Sequence, residues 1–219
     1  ALACGAMLIV GAVGLASKGN DRLWRLAHPD QATVLDLILT AQRDTALPAS
    51  DGPCRFNLTR LTEPEKTRIR SCAAQHGPAA VVLGDSHGVD MFNAMKQAGH
   101  ARFLLGVANG GCRPADDDAA CPFADFLTLV QAEPQLFGQI LFVQSGAYLL
   151  LGPDGREGSR QLFTRASLHK PMPAFGVNTK ALGQIEAYLK ALHSAGVPVL
   201  WVSPRIEPHI AASRVLRSG

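Results

Sequence analysis

The sequence predicts an α/β domain built on a parallel sheet. Strand-length apolar runs at Ala79–Leu83, Arg102–Ala108, Gln139–Gln144 and Val197–Val202 alternate with stretches of helical periodicity. Strands separated by helices read as βαβ units, with ligands at the carboxyl ends of the strands. The first run leaves through Gly84 into Asp85-Ser86-His87-Gly88, where Val89, Phe92 and Met95 recur every three residues as on a helix face. That strand–turn–helix step puts Ser86 at the mouth of the sheet.

At 219 residues the chain allows one ordinary domain plus an extension, and 47% hydrophobic residues are enough to bury a core. A net charge of +3, with no basic run interleaved with aromatics, excludes nucleic acid as the expected partner. No glycine signature for cradling phosphates is present, and no cofactor is expected. Of five cysteines, Cys4 lies in the apolar N-terminus. The other four, Cys54, Cys72, Cys112 and Cys121, lack zinc-type spacing and neighbouring histidines, so no metal is expected. They allow three pairings. The two local ones each close a short loop of polar, proline-bearing chain, and free core thiols are the alternative.

Ala1 to Ala16 is uncharged and apolar but shorter than the ~20 residues that span a bilayer. It lacks the basic start of a signal peptide. Residues 1–17 are therefore read as the end of a transmembrane helix that begins upstream, with a buried soluble helix as the rival. Arg22, Trp24 and Arg25 suit a membrane–water interface or an ordinary amphipathic turn. Thr33 to Gln42 is a short amphipathic helix with Val34, Leu35, Ile38 and Leu39 on one face. After a turn-rich link, Thr62-Glu63-Pro64-Glu65 has the capping-box spacing and early proline of a helix start. Residues 18–75 form a linking extension, and 76–219 the core domain. Asn57-Leu58-Thr59 matches a glycosylation sequon, too short a pattern to carry weight.

Within the core, Asn109-Gly110-Gly111-Cys112 is a turn, and an acidic, alanine-rich loop runs on to Cys121. Ala124 to Gln131 is helical. Asn178 to Ala195 shows the helical face Leu182, Ile185, Leu189 and Leu192 and stops at Gly196. Gly152 to Gly176 is a long irregular stretch bearing Arg156, Arg160, Arg165, His169 and Lys170. It reads as a binding loop for an anionic glycan or as a solvated loop.

Amides at a helix start can hold a developing oxyanion, as an acyl-transfer nucleophile needs. The plainer reading is that Asp85 and Ser86 only cap the helix. Gly84-Asp85-Ser86-His87 after a buried strand resembles the first block of the SGNH (GDSL-type) hydrolases. The His after the Ser is typical of the branch fused behind acyltransferase family 3 membrane domains, which O-acylate cell-envelope carbohydrates. The similarity runs to about Pro204.

The resemblance implies a three-layer, flavodoxin-like SGNH fold with an N-terminal helical extension. It implies Ser86 as catalytic residue, with the oxyanion on the Ser86 amide and on Gly111 of the second block, and Asn109 and Tyr148 as substrate-binding candidates. The third block reads Gln144-Ser145-Gly146-Ala147-Tyr148 where the superfamily has Asn. The fused branch also lacks that Asn and often carries an aromatic there. One missing donor is worth ~3 kcal/mol in a transition state, against fast hydrolysis. Similar proteins carry cysteines in both regions and face the periplasm, which favours disulfides Cys54–Cys72 and Cys112–Cys121.

The superfamily's base comes from an Asp-x-x-His block, which is absent from these 219 residues. His87 is expected to point away from Ser86, and His209 is a lone histidine after the fourth strand. The expectation is a fold incomplete at its C-terminus, with the base beyond Gly219. Expected partners are an upstream membrane acyltransferase domain in the same polypeptide, a carbohydrate acceptor and an acyl donor delivered across the bacterial inner membrane to the periplasm. The functional expectation is O-acyl, chiefly O-acetyl, transfer to lipopolysaccharide O-antigen, exopolysaccharide or peptidoglycan. A carbohydrate esterase and a non-catalytic glycan-binding domain are the alternatives.

Overall fold

The computed structural model describes residues 21–44, 52–99, 101–114, 120–157 and 174–202. The chain divides into two compact units, Ala1–Ala46 with Ile210–Gly219, and Leu47–His209.

In the first unit, α1 (Asp21–Ala27) and α2 (Pro29–Asp44) form a helical hairpin. Arg25 pairs with Asp21 at 2.8 Å and Asp36 at 2.8 Å, and those carboxylates raise its pKa further. The Trp24 ring stacks on His28 at 5.5 Å. Ala32 and Leu35 are buried, whereas Val34, expected on the buried face, is exposed. The helix starts four residues earlier than expected, at Pro29. The expected membrane segment 1–17 lies outside the described residues. Among those described, no helix is long and apolar enough to cross a membrane.

The second unit holds a five-stranded parallel sheet in the order β1-β3-β2-β4-β7. Its strands are β1 (Arg55–Leu58), β2 (Ala79–Gly84), β3 (Leu104–Ala108), β4 (Phe137–Val143) and β7 (Val199–Trp201). A small antiparallel pair, β5 (Leu150–Leu151) with β6 (Gly176–Val177), follows β4. The helices are α3 (Glu63–His76), α4 (Ser86–Ala98), α5 (Phe123–Ala132) and α6 (Thr179–Ser194). The α/β class and parallel sheet match the sequence reading. β3 and β7 are each shorter than expected by two or more residues.

β1 was not foreseen: four residues with only Phe56 and Leu58 buried carry too little periodicity. It brings a segment read as extension into the sheet. Asn57, the sequon asparagine, is committed there: its Nδ2 donates to the Ala108 carbonyl (3.0 Å), and its Oδ1 accepts from the Ala108 amide (3.2 Å).

Period-two alternation sorts the central strand between two layers. Ala79, Val81 and Leu83 face a large core with Ile69 of α3, Phe126 of α5 and Ile185 of α6. Val82 faces the other way, against Phe92 of α4, Leu104 and Val143. Phe92 alone of the expected α4 stripe is fully buried, and Val89 and Met95 flank it half-exposed. α3 begins as its spacing predicts, with the Glu65 carboxylate accepting from the Thr62 amide and Pro64 in the first turn. α6 is capped by Asn178, whose Oδ1 accepts from the Ala181 amide. The Tyr188 hydroxyl donates to the Phe123 carbonyl at 2.8 Å, and burial pushes its pKa up.

Candidate active site

Ser86 is the first residue of α4 and is exposed at the carboxyl end of β2. β2 is the central strand and the place where the winding reverses. The chain leaves it to α4 on one face, and leaves its neighbours β3 and β4 to α5 and α6 on the other. Such a reversal opens a crevice at the strand ends.

The turn is possible because residue 84 is glycine. A Cβ there would lie 1.9 Å from the Val143 carbonyl oxygen and 3.2 Å from the Gly88 Cα. Asp85, which the sequence marks only as a cap, straps the mouth together and is 6% exposed. Its Oδ1 accepts from the His87 amide (2.9 Å), and its Oδ2 from the Ser145 amide on the loop after β4 (3.0 Å). The backbone of Asp85 also accepts from Val89. The Ser86 amide, at the first helical position, is among the helix-start amides that have no partner in the helical ladder.

The loop after β3 supplies the second wall. The Asn109 amide donates to the Gly84 carbonyl (3.2 Å), and the Cys112 amide to the Asn109 carbonyl (3.2 Å). Gly111 has φ +80°, where a side chain would be strained, so the backbone there stays bare and exposed. The Asn109 side chain donates to the Ala120 carbonyl (3.2 Å), next to Cys121. Both expected disulfides are present, with Cα separations of 5.5 Å for Cys54–Cys72 and 5.4 Å for Cys112–Cys121. The second ties the base of the Gly110–Gly111 turn.

Tyr148 lies in the 3-10 turn after β4 and is 7% exposed. The Arg113 guanidinium covers its ring at 3.9 Å and pairs with Glu157 at 2.9 Å. This Arg113–Tyr148–Glu157 group joins the β3 loop to the segment after β4. Nothing in the sequence signals it, since an arginine after a cysteine and a glutamate forty-four residues on have no shared pattern.

Ser86 is exposed, whereas His87 beside it is buried. It lines a cavity of about 160 Å³ with Asp90, Met91, Ala94, Val143, Gln144 and Val202. Gln144, at the third-block position, is 2% exposed, and neither carboxamide atom meets a partner among the described residues. Of the basic loop residues, Arg156 sits 3.7 Å from Asp154. Arg160, Arg165, His169, Lys170 and His209 lie outside the described residues. No group of three or more potential metal ligands occurs among the described residues.

The family model for the SGNH domain fused to AT3 domains matches residues 42–218. The chain belongs to this SGNH family. No match is found among curated proteins or solved structures. For an SGNH domain of the AT3-fused kind, the parallel sheet and helical layers described above are the expected flavodoxin-like arrangement. Membership points to acyl-group chemistry of the transferase or esterase type. The two disulfides in the SGNH domain are consistent with an extracytoplasmic location.

Proposed function

We propose that this SGNH domain serves a cell-envelope carbohydrate O-acyltransferase, with Ser86 as its nucleophile. The observation that carries the reading is the exposed Ser86 at the start of α4, at the sheet's reversal point, beside a bare glycine turn. The Ser86 oxygen attacks the donor's acyl carbonyl, and its proton passes to a base. The tetrahedral oxyanion rests on the Ser86 and Gly111 amides. Collapse expels the donor's leaving group and leaves an acyl ester on Ser86. A sugar hydroxyl then attacks that ester, gives up its own proton, and frees the serine. Asn109 is assigned to shaping the turn through its bond to Ala120, and Tyr148 to the acceptor side under Arg113.

The superfamily's Asp-x-x-His is not among these residues, so this assignment covers the nucleophile and oxyanion loop and not the base. The carbohydrate acceptor, the upstream membrane partner and the periplasmic inner-membrane setting are supported by kinship with the AT3 fusions.

The test is fluorophosphonate labelling with peptide mapping, together with acyl transfer to a glycan acceptor by the complete membrane protein. One adduct on Ser86, and a loss of transfer of about a thousandfold in Ser86→Ala, are expected. Transfer at the unmodified rate by Ser86→Ala would end this reading. Ester hydrolysis that needs no glycan would favour an esterase, and glycan binding with no serine reactivity a binding domain.

A further inference from the structure

A second concave feature lies at the opposite, amino-terminal edge of the sheet. It is a recess of about 450 Å³ lined by Gly52, Pro53, Cys54, Arg55, His76 and Arg102. Cys54 leads into β1, Arg102 comes just before β3, and His76 ends α3, so three elements deliver basic groups to one place.

The walls are held rigidly. The Cys54–Cys72 disulfide joins the floor to α3. Arg55 spends Nε on the Ala101 carbonyl (3.0 Å) and one terminal nitrogen on the Gly99 carbonyl (3.4 Å). Arg68 lies over the Phe56 ring at 3.7 Å and donates from Nε to the Pro53 carbonyl (2.8 Å) and from a terminal nitrogen to the Gly52 carbonyl (3.4 Å). Bonds to neutral carbonyls fix these guanidinium groups without cancelling their charge. No carboxylate pairs with Arg55, Arg68, His76 or Arg102 among the described residues. Arg102 is exposed and makes no bond there. The contrast lies within the same unit, where Arg70 and Arg113 each close on a glutamate.

We propose that the Arg55–His76–Arg102 recess binds a phosphate ester. A prepositioned guanidinium matches the oxygen pairs of a phosphate, and its bonds to that anion are stronger than those to neutral acceptors. Arg102 supplies the unspent fork, Arg55 the adjoining fixed charge, and His76 a further donor. The site is remote from Ser86 along the strands, so its role is anchoring or orienting the domain on a phosphorylated surface or chain. It holds whether or not Ser86 is a nucleophile.

Two arms distinguish the source of the phosphate, both run on the whole chain at about 10 mM salt, where charges act over about 30 Å. The first is calorimetric titration with glycerol 1-phosphate and glucose 1-phosphate, with glucose as blank. The second is cosedimentation with phosphatidylglycerol vesicles against phosphatidylcholine vesicles. Arg102→Glu is expected to weaken binding about tenfold or more, Arg102→Gln less, and added salt to weaken the unmodified chain most. The apolar N-terminus is common to all variants, so its affinity for vesicles cancels in the comparison. A difference in the soluble arm identifies a single phosphate ester as sufficient ligand, and one in the vesicle arm alone identifies a lipid headgroup. Equal behaviour of the unmodified chain and Arg102→Glu in both arms overturns the proposal. Arg102 has no bond to lose, so an unchanged melting temperature shows that the variant is folded.

Discussion

Replacing Asp85 tests the physical basis of the site most directly. Its carboxylate closes two bonds that no other group can supply, to the His87 amide at 2.9 Å and to the Ser145 amide at 3.0 Å. Each is a bond to a charged acceptor, worth about 1.5–3 kcal/mol. Asp85→Ala removes both and leaves the amides without their acceptor, so a loss of about 3–6 kcal/mol is expected, at least a hundredfold in the folding equilibrium. Asp85→Asn keeps one acceptor for His87 and turns an NH₂ group against the Ser145 amide. About half that loss is expected. Urea unfolding at neutral pH, followed by circular dichroism, gives both values. Fluorophosphonate labelling of Ser86 in each variant reports whether the mouth of the site opens. A loss below about 0.5 kcal/mol for Asp85→Ala, the range of an ordinary surface change, would refute the argument. Equal losses for Ala and Asn would show that the bond to the His87 amide contributes nothing.

Gly84→Ala places a Cβ 1.9 Å from the Val143 oxygen, where ordinary contact begins near 3.4 Å. Parting β2 from β4 by more than 1 Å is expected to cost about 3 kcal/mol or more, whereas Gly110→Ala, with nothing within 4 Å, should change stability by less than about 0.5 kcal/mol. Comparable urea midpoints for the two variants would contradict the close approach. Tyr188, with its pKa raised by burial, favours the folded state below the ordinary tyrosine pKa of about 10, and that contribution is lost as pH rises beyond it. Ultraviolet titration should therefore show Tyr188 ionising only with unfolding, and Tyr188→Phe should remove that step; reversible ionisation of Tyr188 in the folded chain would count against its burial.

Much of the site was legible because its determinants are local. Gly84-Asp85-Ser86 marks a strand's end and a helix's start within three residues, and the paired cysteines are close in sequence. The capping box of α3 and the Asn178 cap of α6 act within one helical turn. The same locality explains what was missed. β1 joins the sheet through a register with β3 nearly fifty residues away, and its short alternating pattern says nothing of that partner. Asn57 looked like a sequon and instead holds the end of β3.

By itself the sequence determined the α/β class, the order of the central elements and the serine at a helix start, which follow from periodicity and backbone preference. Short loops favoured the two local cysteine pairings, and the family resemblance decided for disulfides over free thiols. Only the tertiary structure decided that Asp85 straps two loops together, that Arg113 covers Tyr148, and that Arg55, His76 and Arg102 share one recess. Those are meetings of side chains brought together by strand pairing and helix packing, and no spacing along the chain encodes such a meeting.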